Sequence, residues 1–539
     1  MSITKIKLAI LISFLLFVCL AFSQSEIKSP VRILFVPLDD RPPCLQFTQK
    51  MALIGDVDLI SPPNDLLGRF TTPGQSDKII AWLQNQDLKS FDAAIISLDM
   101  LAYGGLVGSR THSVNTEQAL MRIDFLRGMR KKFPRLKIYA QSVIMRLAPT
   151  ADGQNEAYRA DLSKWAEISV KNDEKSKAET KQLAATIPRA SLLNYKEARR
   201  RNLQVNLKAV EFIRSGVFDY LILSQDDAKP VGIHVTDRLK LQEETKRLGL
   251  SEKIAIQPGA DEVSMLLLSR ALNQFHKLAP KIKAFYSSDL VANRVMPFED
   301  KPLKETVSFH IKATGSLEVQ AETEADLFFY VFASRNDSGR AEHFADEIEK
   351  KIQDGKKVMI ADIDPVGDVQ GGDSTFTNKL IQRRLVPEFN SYASWNTAAN
   401  TIGTTLPQGI IFNVAEKKLL SEKSTAARIW TAQNWFTFHR VVDDYYYHGL
   451  KRLQINKHFD QNKLSSKTLD DKKNAEVEAL GTKLMLESFY EFSKLYLDRL
   501  PNSRQREINC QQPSDFTFKL PWNRTFEAEI NFVFNCSTL

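Results

Sequence analysis

The sequence predicts an α/β fold: a (β/α)-barrel-like N-terminal domain, a Rossmann-like second domain and a helical C-terminal region. Three observations carry this reading. Short runs rich in Val, Ile and Phe alternate with longer amphipathic stretches. The runs are continuously apolar, as in parallel strands covered by helices on both faces. They lie at 31–37, 57–60, 93–98, 137–143, 220–224, 254–257 and 282–286, a density that fits a (β/α)-barrel better than a small open sheet. An open doubly wound sheet is the alternative.

The elements follow in order. Lys5 and Lys7 precede an apolar run at 8–22, and Ala21-Phe22-Ser23 gives a small-x-small cleavage pattern. This is the outline of a secretory signal peptide over 1–23. The run falls short of the about 20 residues a membrane span needs. Val18 before Cys19 does not suit a lipidation signal. The mature chain is therefore expected to be periplasmic or secreted, with no membrane span. The barrel-like domain is expected over 31–295 and the Rossmann-like domain over 296–420. The latter opens with a β-hairpin at 307–320 turning at Gly315, followed by strands at 327–332, 358–363 and 389–394. Leu, Phe and Tyr at helical spacing fill much of 421–539, before a short-stranded tail. Cys510 and Cys536 in that tail suit a disulfide in an oxidising compartment, which would contribute roughly 3 kcal/mol. Cys44 is expected to be unpaired.

Composition excludes some classes. Of 539 residues, 43% are hydrophobic and 26% charged, an ordinary globular balance. The net charge of +8 is spread along the chain. The basic runs Arg130-Lys131-Lys132 and Arg199-Arg200-Arg201 sit in helix-like stretches without interleaved aromatics. They read as solvated helix faces, so no nucleic-acid partner is expected.

The chemistry concentrates where strands end. The motifs are Asp39-Asp40-Arg41, Asp99 running into Tyr103, Arg146, Asp226-Asp227, Asp261-Glu262, Asp289, Asp362 with Asp364, and Gly367-Asp368. A parallel α/β architecture gathers those ends on one face. A single Asp there is an ordinary helix cap. Three adjacent carboxylate pairs are more than caps require, because neighbouring carboxylates repel unless a ligand or cation uses them. Arg41 and Arg146 are suited to gripping an anionic group. No Gly-x-Ser-x-Gly elbow is present. The histidines, His112, His234 and His343 among them, have no zinc-ligand spacing. Gly104-Gly105 and Gly371-Gly372 are not phosphate cradles. Two carboxylate chemistries remain: paired acid and base, as in glycoside hydrolysis, or an oxygen-ligand site for Mg²⁺ or Ca²⁺.

The strand before Asp226-Asp227 resembles that of retaining β-N-acetylhexosaminidases that use the substrate's own acetamido group. By that resemblance Asp226 polarises the acetamido and Asp227 protonates the leaving oxygen. Trp395-Asn396-Thr397 with Asn400 opens a helix, where the asparagines would share a face and Trp395 would offer a flat surface for a sugar ring.

Together the motifs resemble a bacterial domain-of-unknown-function family, number 4127. The matching stretches are Pro37-Leu38-Asp39-Asp40-Arg41-Pro42, Asp99-Met100-Leu101-Ala102-Tyr103-Gly104-Gly105-Leu106-Val107, Gln225-Asp226-Asp227, Pro258-Gly259-Ala260-Asp261-Glu262, and Trp395-Asn396-Thr397 with Asn400 and Gly403-Thr404. The resemblance spans about 31–410 and implies that these residues form one site, without supplying an activity. Pro407 departs from a continuous helix and is expected to end or bend it.

The expectation is an exported carbohydrate-active hydrolase, a glycoside hydrolase with Asp226 and Asp227 as its catalytic carboxylates. Asp39, Asp40, Arg41, Asp99, Tyr103, Arg146, Asp261, Glu262, Trp395, Asn396 and Asn400 would bind substrate. No organic cofactor is expected. The alternatives are a Mg²⁺- or Ca²⁺-dependent hydrolase using the same carboxylates, and a non-catalytic protein that binds a sugar or cell-wall fragment.

Overall fold

Two open parallel sheets carry the structure, a computed structural model that describes residues 30–367, 371–461, 469–500, 503, 505 and 507–538. The expected signal peptide at 1–23 and the Asp368 of the Gly367-Asp368 motif lie outside the described residues.

The first sheet holds β1 (Val31–Val36), β2 (Val57–Ile60), β3 (Ala93–Ser97), β4 (Lys137–Ile144), β5 (Tyr220–Gln225) and β6 (Ile254–Pro258), in the order β2-β1-β3-β4-β5-β6. From β1 through β6 neighbouring strands are parallel. The second sheet holds β7 (Lys281–Tyr286), β8 (Leu317–Glu318), β9 (Leu327–Phe332), β10 (Val358–Asp362) and β11 (Ser391–Ala393), in the order β8-β7-β9-β10-β11. It too is parallel throughout. Each sheet reverses its winding once, between β1 and β3 and between β7 and β9. That is the doubly wound arrangement, in which ligands bind beyond the strand ends near the reversal.

The barrel expectation is thereby corrected: β2 and β6 remain edges and no barrel closes. Buried parallel strands have the same apolar pattern in a barrel and in an open sheet. Closure depends on first-to-last strand pairing, which that pattern does not encode. The run at 282–286 belongs to β7 and so to the second sheet, which places the changeover near residue 280 rather than 295. The expected hairpin at 307–320 is instead a helix, Leu303–Ala313, followed by the short β8. Its buried residues Leu303, Thr306, Val307, His310 and Ile311 keep helical spacing. Phe309, which supported the strand alternation, is exposed.

The helix Ala398–Lys418 joins the two halves. It packs on the helix Val263–Phe275, which follows β6, and on β10 and β11. Every residue from Ala398 to Ala415 is buried, and Pro407 lies inside the helix. The helix does not end at the proline but continues to Lys418. Burial on two sides outweighs the lost bond, a cost of about 3 kcal/mol in an isolated helix.

The C-terminal helices Lys423–Arg440, Arg452–Gln461 and Asp471–Arg499 are joined in part by a π-helical stretch, Val441–Lys451. The tail forms two antiparallel pairs, Ile508–Cys510 with Cys536–Thr538 and Ser514–Lys519 with Glu529–Val533. Cys510 and Cys536 are bonded and Cys44 is a buried free thiol. Phe438 packs against Phe489, Phe492, Tyr496, Phe532 and Phe534, which fixes tail to helices. Among the described residues no helix is long and apolar enough to cross a membrane.

Candidate active site

β1 ends in a segment that turns back on itself. The Arg41 backbone N–H and Nε both donate to Asp39, the latter at 3.1 Å. The guanidinium then reaches Asp261 beyond β6, with Nη2 to Oδ1 at 2.6 Å and Nη1 to Oδ2 at 3.1 Å. Its third carboxylate comes from the tail, with Nη1 to Glu527 Oε1 at 3.2 Å. All four side chains are buried. Burial and the neighbouring Asp39 push the Asp261 carboxyl up to about 6, against the pull of Arg41. Gly259 makes the β6 turn possible. It sits at φ +105°, and a Cβ there would come 1.8 Å from Glu262 Oε1.

β5 delivers Asp226 and Asp227. Arg110 Nη2 donates to Asp226 Oδ2 at 2.6 Å, with both side chains buried. Burial raises the Asp226 carboxyl, but Arg110 and Arg146 outweigh it and hold it below the usual range. Asp227 adopts φ +40°, a left-handed conformation that Asp tolerates better than most residues. Its side chain is 33% exposed, and Arg146 Nη1 donates to its Oδ2 at 2.5 Å. Oδ1 accepts no hydrogen bond among the described residues, so this carboxylate has an oxygen left for a ligand.

Around these groups lies a cavity of about 420 Å³, of a size ordinary for small-molecule sites. Arg41, Arg146, Asp226, Asp227, Asp261, Asn396 and Asn400 all line it, so seven predicted residues meet in one place. Asn396 is not on the helix as expected. It precedes the helix at φ +57°, and Thr397 caps the helix by accepting from the Asn400 N–H.

Six predicted residues do not line the cavity. Asp39 lies beneath Arg41. Asp40 accepts from Trp522 Nε1 at 2.7 Å and is pushed up to about 7 by burial and by Asp39. Asp99 is turned into the sheet, where Oδ2 accepts from the Val143 N–H at 2.9 Å, and burial lifts it to about 7. Tyr103 is buried under Arg201, whose guanidinium lies 4.0 Å from its ring centre. Glu262 is buried near His310. Trp395 is a core residue, edge-on to Phe47 and bonded to Thr404, because its place just before the buried helix turns it inward.

The aromatic surface comes from the tail instead. Two guanidinium groups approach Trp522, Arg41 at 4.6 Å and Arg524 at 4.7 Å from its ring. Trp522, Arg524, Thr525 and Phe526 line the cavity together with Arg110, Arg159 and Arg452. None of these was picked out in the sequence. The available signal was the alternation of aromatic and basic residues in Trp522-Asn523-Arg524-Thr525-Phe526.

The chain belongs to the family described as Protein of unknown function (DUF4127). The family model matches residues 33–531, so it takes in the tail segment that completes the cavity as well as the strand-end motifs. No curated protein and no solved structure matches.

One set of donors in this DUF4127 chain has metal-like spacing among the described residues: Asp39, Cys44 and Asp261, all within 4.8 Å of one another. It does not fit Mg²⁺ or Ca²⁺, which take oxygen ligands. Arg41 already donates into both carboxylates. Burial, with Asp39 and Asp261 adding to it, pushes the Cys44 thiol up, so sulfur stays protonated. A guanidinium occupies the cationic role in this cluster.

Proposed function

We propose that this chain is an exported carbohydrate-active hydrolase working through Asp226 and Asp227. The observation that carries the reading is the meeting of these adjacent carboxylates, in one cavity, with Trp522, Asn396 and Asn400. Aromatic faces and amide side chains suit the flat apolar surfaces and hydroxyl edges of a sugar. In this reading Asp226, held ionised by Arg110, orients and polarises the substrate. Asp227, the more open of the two, exchanges a proton with the leaving oxygen. The bonded Cys510–Cys536 pair and the N-terminal sequence pattern support export.

A second reading has its own observation. Each of the four cavity aspartates, Asp226, Asp227, Asp261 and Asp364, already lies against an arginine, which suits a binding protein that performs no chemistry.

The test is a panel of aryl glycosides, aryl N-acetylhexosaminides included, assayed with and without EDTA. Cleavage that persists in EDTA and is lost in Asp227→Asn supports the hydrolase. Absence of cleavage across the panel, with a sugar raising the melting temperature, supports the binding protein. Cleavage abolished by EDTA and restored by Mg²⁺ overturns the metal-free reading.

A further inference from the structure

Six arginines line the cavity, and they fall into two groups. Arg41, Arg110, Arg146 and Arg524 are each ion-paired, to Asp261 and its neighbours, Asp226, Asp227 and Glu527 respectively. Arg159 and Arg452 have no ion pair among the described residues. Each is half-buried and, among the described residues, gives only its Nε–H to the protein, Arg159 to the Pro149 carbonyl at 3.1 Å and Arg452 to the Thr525 carbonyl at 2.7 Å. That leaves the paired η nitrogens of both, the prongs that match an oxyanion. A half-buried guanidinium without a directly bonded counter-ion is costly, and the Phe526 ring 5.7 Å from Arg452 offsets only part of that cost. Burial works against the Arg452 charge and outweighs the opposing pull of Tyr447 and Glu527, with Arg524 adding to the effect of burial. Each guanidinium is anchored at one end by a backbone carbonyl, so each is held in place with its donors unspent.

We infer that the substrate is an acidic glycan whose oxyanion, a carboxylate or a phosphate or sulfate ester, is held by Arg159 and Arg452. This rests on the carbohydrate reading. It adds a substrate class and two specificity residues that the strand-end carboxylates do not imply. A neutral sugar would leave both guanidinium groups unmatched inside the cavity. An acidic one would supply the missing charge.

The test is calorimetric titration of the full mature chain with four probes: methyl β-glucuronide, methyl β-glucoside, a glucose phosphate ester and the non-sugar dianion glutarate. The expected result is binding of at least one acidic sugar about tenfold or more tighter than the neutral glucoside. Arg159→Gln and Arg452→Gln should each remove most of that preference. Arg159→Lys and Arg452→Lys keep the charge and guard against misfolding; they should retain part of it. The glucuronide and the phosphate ester separate the two oxyanion sources. Equal binding of glucuronide and glucoside, a preference unchanged in all four variants, or binding of no probe overturns the inference. Binding of glutarate through the same arginines, with no sugar bound, keeps the oxyanion site and overturns the glycan reading on which it was built.

Discussion

Arg41 donates to Glu527 at 3.2 Å although the two residues lie 486 positions apart. The same guanidinium holds Asp39 and Asp261, and its face lies over Trp522. Three strand-end or tail carboxylates and one aromatic ring are thus organised by a single cation. The tail is part of the site rather than an appendage, because its position depends on a residue at the end of β1. Arg524, which also reaches Glu527, lies 4.7 Å from the same indole.

Arg41→Met is expected to destabilise the protein by about 3–5 kcal/mol, the usual cost of stripping the partner from buried charges. Urea unfolding measures it. Glu527→Gln should cost less, since Arg41 keeps two carboxylates and Arg524 is partly exposed. A smaller loss for Arg41→Met than for Glu527→Gln would mean that the arginine is not the organiser.

The disulfide closes the segment that contains Trp522 and Glu527. Its two cysteines face each other across paired strands, 26 positions apart. Reduction, or Cys510→Ser with Cys536→Ser, should lower stability by about 3 kcal/mol. Ligand affinity should fall as well, because the released tail no longer presents Trp522 and Arg524 to the cavity. Thermal melts and titrations with and without reductant check both. Loss of stability with affinity unchanged would place the tail outside the site.

The adjacent aspartates should separate cleanly. Asp226→Asn leaves Arg110 buried and unpaired, so it should cost about 3–5 kcal/mol of stability. Asp227 is partly open, and Asp227→Asn should cost less than about 1 kcal/mol. Turnover should behave differently, with Asp227→Asn losing on the order of 10²–10⁴-fold if the residue transfers a proton. Unfolding curves and steady-state rates on a cleaved glycoside decide it. An Asp227→Asn protein that is stable and fully active removes Asp227 from the chemistry.

How much of this was legible in the sequence depended on distance along the chain. Asp226-Asp227 and Asp261 were readable because a continuous apolar strand runs directly into them, and parallel strands bring their ends to one side. Asp99 has the same address and a different job. Its carboxylate is spent on the Val143 N–H inside the sheet, a choice set by packing on the neighbouring strand. Trp395 and Trp522 show the same limit. The first follows a strand and looked placed for a ligand, yet its indole is used by Phe47 and Thr404. The second sits in a polar tail and is held at the cavity by Arg524 and by Arg41, Asp40 and the Phe70 ring, the last three far from it in sequence. The strands were legible and the openness of the sheets was not, since local apolarity is the same in both architectures.

Glu299 gives a pH test that does not depend on substrate. It is buried beside the start of the helix Ala398–Lys418, with Oε1 accepting from the Ala399 N–H at 2.9 Å and Oε2 unpartnered among the described residues. Burial, with Glu262 and Asp227 nearby, raises its carboxyl from 4.5 to about 8. Between those values the folded protein keeps a proton that the unfolded chain has released. Its contribution to stability is therefore complete below about 4.5, falls as pH rises, and is gone above about 8. Glu299→Gln keeps an acceptor for the Ala399 N–H and carries no charge at any pH. The unfolding free energy of the variant, relative to the natural protein, should climb across that window and level off at either side. Chemical denaturation at a series of pH values measures the difference. Parallel curves through the window would show that Glu299 is ionised in the fold, and that its charge is balanced by a group other than those around it here.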